Sequence, residues 1–245
     1  MIYVCIPVRD EAPTIGLVLW KIRKVFSELG REYQILVTDD GSRDSTPAVL
    51  TPYLNVLPLT VHTHPEPLGY AATVESLLRM ALDRTDRPRR DAAVLVHADF
   101  AHGPEFLPEI IRRLDSGADL VVGEGQLSGQ PVRGIRWLRR WAPMLVPSAI
   151  RVAGVRDIVS GFMATRLSCL RLALDRQPAA LLTTEGWAAN AELIGRLGAE
   201  ARRVETVSVV ERHDLRQRPS RIDPWGTARA LWAARPALRA AATPR

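Results

Sequence analysis

Short apolar runs alternate with amphipathic stretches through the first half of the chain. Ile2 to Pro7 reads as a strand buried on both faces. Arg9, Asp10 and Glu11 follow, then Pro13, a residue suited to a first helical turn. Ile15, Leu19, Ile22, Phe26 and Leu29 recur at helical spacing and stop at Gly30. Gln34 to Thr38 forms a second strand that ends in Asp39-Asp40-Gly41-Ser42. Asp44, Ser45 and Thr46 then offer capping oxygens to a helix over Pro47 to Leu54. A short strand over Leu59 to His62 leads through a Pro-rich loop to a helix over Ala71 to Leu82. Ala93 to Val96 is a third buried run, stopped by polar residues and followed at Gly103-Pro104 by a helix to Leu114. Leu120 to Gly123 is another strand. Strands alternating with helices predict an α/β fold, a doubly wound, mostly parallel sheet with helices on both faces.

After Glu124 this rhythm breaks. Residues 125–157 hold glycines, prolines, Trp137, Trp141 and six arginines (Arg133, Arg136, Arg139, Arg140, Arg151 and Arg156). The segment reads as an insertion or an amphipathic helical pair. Arginine with tryptophan suits a membrane surface or an anionic amphiphile, and the plainer alternative is a packed helix with a solvated arginine face. Ser160-Gly161-Phe162 marks a turn. Trp187 to Leu197 reads as a helix introduced by Thr184, Glu185 and Gly186, and Arg203 to Val210 as a final strand. Beyond Pro224 the chain is weakly helical. The organisation expected is one domain over residues 1–212, with 125–157 as its insertion, and a basic tail over 213–245.

The length of 245 residues allows a sizeable core, and the composition is that of an ordinary globular protein. Two cysteines, Cys5 and Cys169, give neither a disulfide framework nor metal-ligand spacing, which points to a reducing compartment. A strand from Ile2 leaves no room for a signal peptide. No apolar run approaches the roughly 20 residues of a membrane span. Charge is informative by location. Residues 1–211 balance 25 Lys and Arg against 25 Asp and Glu, so the net +6 comes from the eight arginines and two aspartates beyond. Such a tail attracts anions, or serves only to solubilise. The Arg- and Ala-rich usage suggests a GC-rich bacterial genome.

Three carboxylate clusters end three separate strands: Asp10 with Glu11, Asp39 with Asp40, and Asp99. Ligands bind outside the carboxyl ends of strands in open α/β sheets, so these groups converge on one edge. Converging carboxylates favour a bound cation or hydrogen-bond donors such as a nucleobase and ribose. His97, Asp99 and His102 lie within six residues of one another at the third strand's end. The alternative there is a solvated loop with a helix N-cap. Neither a Walker-type loop nor a GxGxxG after a strand is present.

The segments IPVRDE, VTDDGSRDST, PLGYA, HADFAHGPE, DIVSGF and EGWAANAELI, in that order, resemble glycosyltransferase family 2. Within it the chain is most similar to the branch of dolichol-phosphate mannosyltransferase and the bacterial polyprenyl-phosphate glycosyltransferases, over residues 2–212. The resemblance implies a GT-A fold and inverting transfer from a nucleotide-sugar donor. Pro7, Arg9 and Glu11 match the motif that lines the nucleotide. Asp39 or Asp40 matches the acid facing the base, with Gly41 and Ser42 shaping the turn, and Gly69 and Ala98 fall in matching donor-side motifs. Asp99 matches the last acid of the DxD motif, which binds Mg²⁺ or Mn²⁺ and thereby stabilises the departing diphosphate. The implied partners are a nucleotide-diphosphate sugar and a lipid-phosphate acceptor or membrane surface, with no nucleic acid. The implied location is the cytoplasm, at the inner face of the membrane.

The chain departs from the pattern in places. The first DxD acid is His97, a softer donor that suits Mn²⁺ poorly and Mg²⁺ worse, so His97 enters as a second metal-site residue of altered preference. The position two after the motif is Ala101. A GSR motif reads Gly123-Glu124-Gly125, and SGFR reads Ser160-Gly161-Phe162-Met163. Two arginines expected to hold an acceptor phosphate are therefore absent; Arg133 and Arg136 are the candidate replacements, with Ser160 and Gly161 on the same acceptor side. An anionic acceptor needs no base. A hydroxyl acceptor does, and Glu185 is the candidate, with Asp157 second; Glu192, seven residues on, is expected on the same helical face as Glu185. The alternative for Glu185 is a helix N-terminal acid. A third reading is a non-catalytic nucleotide-sugar-binding homologue whose DxD motif has decayed.

Overall fold

The structure is a computed structural model that describes residues 1–100, 103–128, 137–138, 141–142, 144–212 and 223–242. Its first half follows the alternation of the sequence. Strand β1 (Ile2–Val8) leads to α1 (Ala12–Leu29), β2 (Tyr33–Asp39), α2 (Thr46–Leu50), β3 (Leu59–Thr63), α3 (Tyr70–Arg84), β4 (Ala92–Leu95), α4 (Leu107–Asp115) and β5 (Leu120–Ser128). One helix was expected over Pro47 to Leu54. Instead α2 passes into a 3₁₀ turn over Thr51–Asn55, where Pro52 has no N–H to continue an α-helical ladder. β5 runs five residues beyond Gly123.

Among the described residues, seven strands form one sheet in the order β3-β2-β1-β4-β6-β5-β7. All its pairings are parallel except those of β6 (Met163–Arg166), which runs antiparallel between β4 and β5. β6 and the helix that follows it, α5 (Leu167–Arg176), were not expected from the sequence. A four-residue strand is too short to show a period, and an antiparallel neighbour of β5 needs no crossover helix to announce it. The chain continues through α6 (Trp187–Glu200), β7 (Val204–Arg212), α7 (Pro224–Ala233) and α8 (Arg235–Ala242).

Alternate strand residues serve two cores. Val4, Ile6, Ile35, Val37, Val94 and Val96 face α1 and α4 on one side. Tyr3, Cys5, Leu36, Ala93 and Leu95 face α3, α5 and α6 on the other. Residues beyond Pro224, read from sequence as a weakly helical tail, form two helices whose Leu231 and Leu238 are fully buried in the same core as Leu138 and Ala142 of the insertion. Asp223 starts α7 by accepting from the amides of Trp225 and Gly226, a side-chain cap of the ordinary kind. Among the described residues no helix is long and apolar enough to cross a membrane.

Because β1, β2, β3, β4 and β5 share one direction, their carboxyl ends lie along one edge, and the amino end of β6 joins them there. The chain segments leaving and entering at this edge are those that carry the polar motifs.

Candidate functional site at the carboxyl edge of the sheet

The first two strand ends are tied together by hydrogen bonds. Asp10 takes a left-handed conformation, φ 51°, which costs a non-glycine residue energy and needs local support. The support comes from the β2 loop. The Asp10 amide donates to Ser42 Oγ at 2.9 Å, and the Arg43 amide donates to Asp10 Oδ1 at 2.8 Å. The Glu11 amide donates to Thr46 Oγ1 and the Ala12 amide to Asp44 Oδ2. Arg9 is exposed and Pro7 half-buried. Glu11 is buried, its Oε2 accepting from Thr14 Oγ1 at 3.1 Å.

The two aspartates of the β2 end differ. Asp39 Oδ1 accepts from the amide and hydroxyl of Ser42, closing the turn around Gly41. Gly41 has φ 64°, and a Cβ there would sit 3.1 Å from the backbone nitrogen of Pro67, so the position needs glycine twice over. Asp40 is occupied on both oxygens. His64 Nδ1 lies 2.9 Å from Oδ1, which also accepts from the Leu68 amide, while Oδ2 accepts from the Gly69 amide. Burial alone would raise the Asp40 pKa, but the His64 and amide hydrogen bonds outweigh it and hold the carboxyl below its ordinary range. Asp40 thus shapes the loop into α3. Of the two acids matched to the base-facing role, Asp39 is the one with an oxygen outside these internal bonds. His64 escaped the sequence reading, because a histidine in a His-Pro-Glu-Pro loop carries no pattern.

At the β4 end, Ala98 is buried in the core while His97 and Asp99 lie just beyond it. Phe100 follows at φ 60° with its ring buried, so a strained residue anchors the backbone beside Asp99. His102 lies outside the described residues, as do Ala101, Arg133, Arg136, Arg139 and Arg140. The His97 ring lies parallel to that of Tyr70, centroids 6.1 Å apart. Its Nε2 edge abuts Gly161 so closely that a Cβ on that glycine would overlap it. Tyr70 donates to Asn190 Oδ1 at 2.8 Å, and Asn190 Nδ2 donates to the Val159 carbonyl. Burial, aided by the charges of Asp99 and Glu185, pushes the Tyr70 pKa up, although the Asn190 bond acts against it. Tyr70, which in sequence carries no signal beyond the PLGYA segment, links these groups.

Ser160 is fully buried and spends its hydroxyl on the Gly123 carbonyl at 2.6 Å, so what it brings to the edge is backbone shape. The base of the insertion is clasped reciprocally. The Arg156 amide donates to Glu124 Oε1 at 2.8 Å, and the Gly125 amide donates to Asp157 Oδ2 at 3.4 Å.

Glu185 and Glu192, expected on one helical face, part company. Glu185 precedes α6, and Gly186 at φ 57° turns the chain between them. Glu185 reaches the start of a different helix, accepting from the Ala71 amide of α3 at 3.1 Å, and a Cβ on Gly69 would lie 2.9 Å from its Oε1. Glu192 is completely buried. It accepts from the amides and hydroxyls of Thr183 and Thr184 and pairs with Arg196 at 2.6 Å. Glu75 of α3 holds the amides of Leu181 and Leu182 in the same way. Two glutamates therefore fix the loop that carries a third to the edge. Among the described residues no group of three His, Cys, Asp or Glu side chains forms a ready-made metal cage.

A mixed α/β sheet with an acid-lined carboxyl edge, an Asp-Asp-Gly-Ser turn after β2 and a short antiparallel strand beside β4 defines the GT-A class of fold. The family model for glycosyl transferase family 2 matches residues 3–171, and the chain belongs to that family. It is similar to polyprenol monophosphomannose synthase of Mycolicibacterium smegmatis, 29% identical over 174 residues, or 68% of this chain and 62% of that protein. Dolichol-phosphate mannosyltransferase of Pyrococcus furiosus is 26% identical over 168 residues, covering 66% and 45%. The chain thus spans less than two thirds of the length of either relative. Among solved structures, glucosyl-3-phosphoglycerate synthase from Mycobacterium tuberculosis, in complex with Mn²⁺, UDP-glucose and phosphoglyceric acid, shares the fold. Its TM-score is 0.65 at 22% identity, covering 100% of this chain and 81% of that one.

Two outcomes follow for the packing of this edge. Gly161→Ala forces the His97 ring aside and lowers stability by about 1–3 kcal/mol, as overpacking does. In a His97→Ala background the same change is nearly neutral, a coupling that a double-mutant cycle of thermal denaturation detects. Asp40→Asn cannot accept from three donors and loses about 2 kcal/mol at neutral pH. Since folding lowers the Asp40 pKa, its stabilisation is fully present above the ordinary carboxylate value of about 4 and is lost as pH falls through the lowered folded value. The stability gap between wild type and variant therefore narrows in acid, which denaturation at a series of pH values reads directly.

Proposed function

We propose that the chain is an inverting glycosyltransferase that moves a sugar from a nucleotide-diphosphate donor to a polyprenyl phosphate, working at the cytoplasmic face of a membrane. The observation carrying the donor assignment is the stitched edge itself. Asp39 is buried beneath the turn closed by Ser42 and Gly41, and its Oδ2 is the acceptor that a nucleobase N–H would reach. Pro7, Arg9 and Glu11 form the adjoining wall, and Gly69 brings backbone close without a side chain. Asp99 stands where the diphosphate would lie. Its carboxylate oxygen suits a hard cation, and with the other ligands supplied by substrate or water the donor set would fit Mg²⁺ or Mn²⁺. His97, whose Nε2 edge is packed on Gly161, would be the second donor and would shift the preference towards the softer ion. When bound, such an ion offsets negative charge on the departing nucleoside diphosphate.

The acceptor assignment is supported by the names of the relatives, a polyprenol monophosphomannose synthase and a dolichol-phosphate mannosyltransferase. It is supported also by Glu185. A phosphate oxygen is already anionic and attacks without a general base, whereas a hydroxyl must lose its proton. Glu185 is committed through Oε2 to the amino end of α3, and the amide there gives it a positioning part against Gly69 and Tyr70. The second reading, transfer to a hydroxyl with Glu185 as base, is favoured by its other oxygen, Oε1, which faces the donor loop at Gly69. Asp157 is spent on clasping the insertion, so it fits that role less well.

A panel of nucleotide sugars, assayed with polyprenyl phosphate and with alcohol acceptors in the presence of Mg²⁺, Mn²⁺ or chelator, tests this reading. Asp99→Ala lowers transfer by at least about 100-fold, the scale of one lost electrostatic contact to developing charge, and abolishes the metal response of donor binding in calorimetry. Glu185→Gln costs transfer to a phosphate no more than about tenfold, but would cost transfer to a hydroxyl about 10²- to 10⁴-fold. A folded Glu185→Gln variant that has lost all transfer to polyprenyl phosphate contradicts the lipid-phosphate reading.

A further inference from the structure

Five residues from four separate segments close a circuit behind the edge. Tyr70 opens α3, His97 follows β4, Val159 and Gly161 lie ahead of β6, and Asn190 sits near the start of α6. The His97 ring lies parallel to that of Tyr70, and its Nε2 edge rests on Gly161. The carbonyl of Val159, two residues before Gly161, accepts from Asn190 Nδ2 at 3.1 Å, and Asn190 Oδ1 accepts from the Tyr70 hydroxyl at 2.8 Å. Each member is thus held from two sides. Ser160, inside the circuit, is bonded to the Gly123 carbonyl and ties it to β5.

The direction of each bond follows from its partners. A carbonyl can only accept, so the amide of Asn190 turns its NH₂ towards Val159. That leaves Oδ1 for Tyr70 and makes the phenol the donor. Asn190 is 3% exposed, and a leucine would fill the same space while leaving both partners unpaired. What the amide adds over filling is direction. It fixes the angle of the Tyr70 ring and the height of the 159–161 turn, and the His97 ring is caught between the two. His97 stands two residues before Asp99, and the Ala71 amide beside Tyr70 receives Glu185. Neither side-chain hydrogen bond of Asn190 goes to His97, Asp99 or Glu185, so any influence on them passes through its partners.

We infer that Asn190 is a positioning residue for sugar transfer, acting through Tyr70 and Val159 to hold the His97 ring against Gly161. The inference rests on the transfer reading for its purpose and on the circuit alone for its geometry. A residue that only filled the core would lower thermal stability, leaving the kcat of the folded enzyme and its pH profile alone.

The test joins a readout free of activity to one that needs it, both on the full chain. The imidazole C–H resonance of His97, identified by its loss in His97→Ala, is followed by NMR at one pH among those of the five histidines. Asn190→Leu shifts or broadens this resonance and leaves the other four in place. Transfer is then measured with the panel of nucleotide sugars, UDP-glucose and GDP-mannose among them, with Mn²⁺ and a polyprenyl phosphate. Asn190→Leu lowers kcat about 10- to 100-fold, the cost of losing a partner that orients a site residue. The donor KM changes little, because the base is held elsewhere. Tyr70→Phe acts in the same direction, and the double variant falls no further than Asn190→Leu alone. Asn190→Asp keeps kcat in acid, where a protonated carboxyl accepts from Tyr70 and donates to Val159 as the amide does. It loses kcat as pH rises, because the ionised carboxylate can only accept. A His97 resonance unmoved in a folded Asn190→Leu variant overturns the inference and leaves the transfer reading standing. A shifted resonance with kcat intact does the same. If all five histidines move, that variant has lost its fold, and Tyr70→Phe decides by the same two readouts. A wild type that transfers from no nucleotide sugar sinks the transfer reading, and the role of Asn190 with it, whatever the resonance does.

Discussion

A buried carboxylate with three donors around it holds the acid-lined edge of this molecule together. Asp40 sits at the end of β2, takes Nδ1 of His64 as the chain leaves β3, and takes the amides of Leu68 and Gly69 as the chain enters α3. A charged group so placed is costly unless each lone pair is used. Satisfying it fixes where α3 begins, and the beginning of α3 fixes much else. Gly69 presents bare backbone to the edge, Tyr70 lies alongside His97, and the Ala71 amide receives Glu185. The neighbouring Asp39, just as buried, is held by its own turn with Ser42. One aspartate shapes the loop into α3 and the other closes the turn at Gly41.

The second half of the edge is assembled from chain segments far apart in sequence, and glycine makes it possible. Gly161 admits the His97 ring, Gly123 admits Phe162, and Gly69 admits the Glu185 carboxylate. Each is a close approach that a Cβ would obstruct. The loop bearing Glu185 has little regular structure of its own. Its shape is imposed by Glu75 on one side and Glu192 on the other, both accepting backbone amides. Loops that carry function are often positioned this way by a rigid scaffold. Here the scaffold is α3 and α6.

The strands and helices of the first half were legible because apolar runs of strand length and stripes of helical spacing report burial directly. The position of the acids followed from one rule about parallel sheets. Asp39 and Asp40 could not be told apart from sequence, since their difference lies in which donors surround them: Ser42 for Asp39, and residues 64–69 for Asp40. β6 was hidden by its length, yet Leu167, Leu170 and Leu174 of α5 do show helical spacing that could have been read. The parting of Glu185 from Glu192 turned on one positive φ at Gly186. That α7 packs on the insertion could not be read either, because nothing local in Trp225 points to Trp137.

The altered DxD segment bears hardest on the account, since it leaves Asp99 as the one carboxylate of that motif and sets His97 against Gly161. The whole reading supposes that the stitched edge is where a nucleotide sugar lies. A crystal structure of the full chain with a nucleoside diphosphate sugar and Mn²⁺ is the most direct measurement. The base is expected against Asp39 and the diphosphate beside Asp99, with the sugar towards Tyr70 and Glu185. A nucleotide seated anywhere else on the chain, or at this edge but out of reach of Asp39 and Asp99, would contradict it.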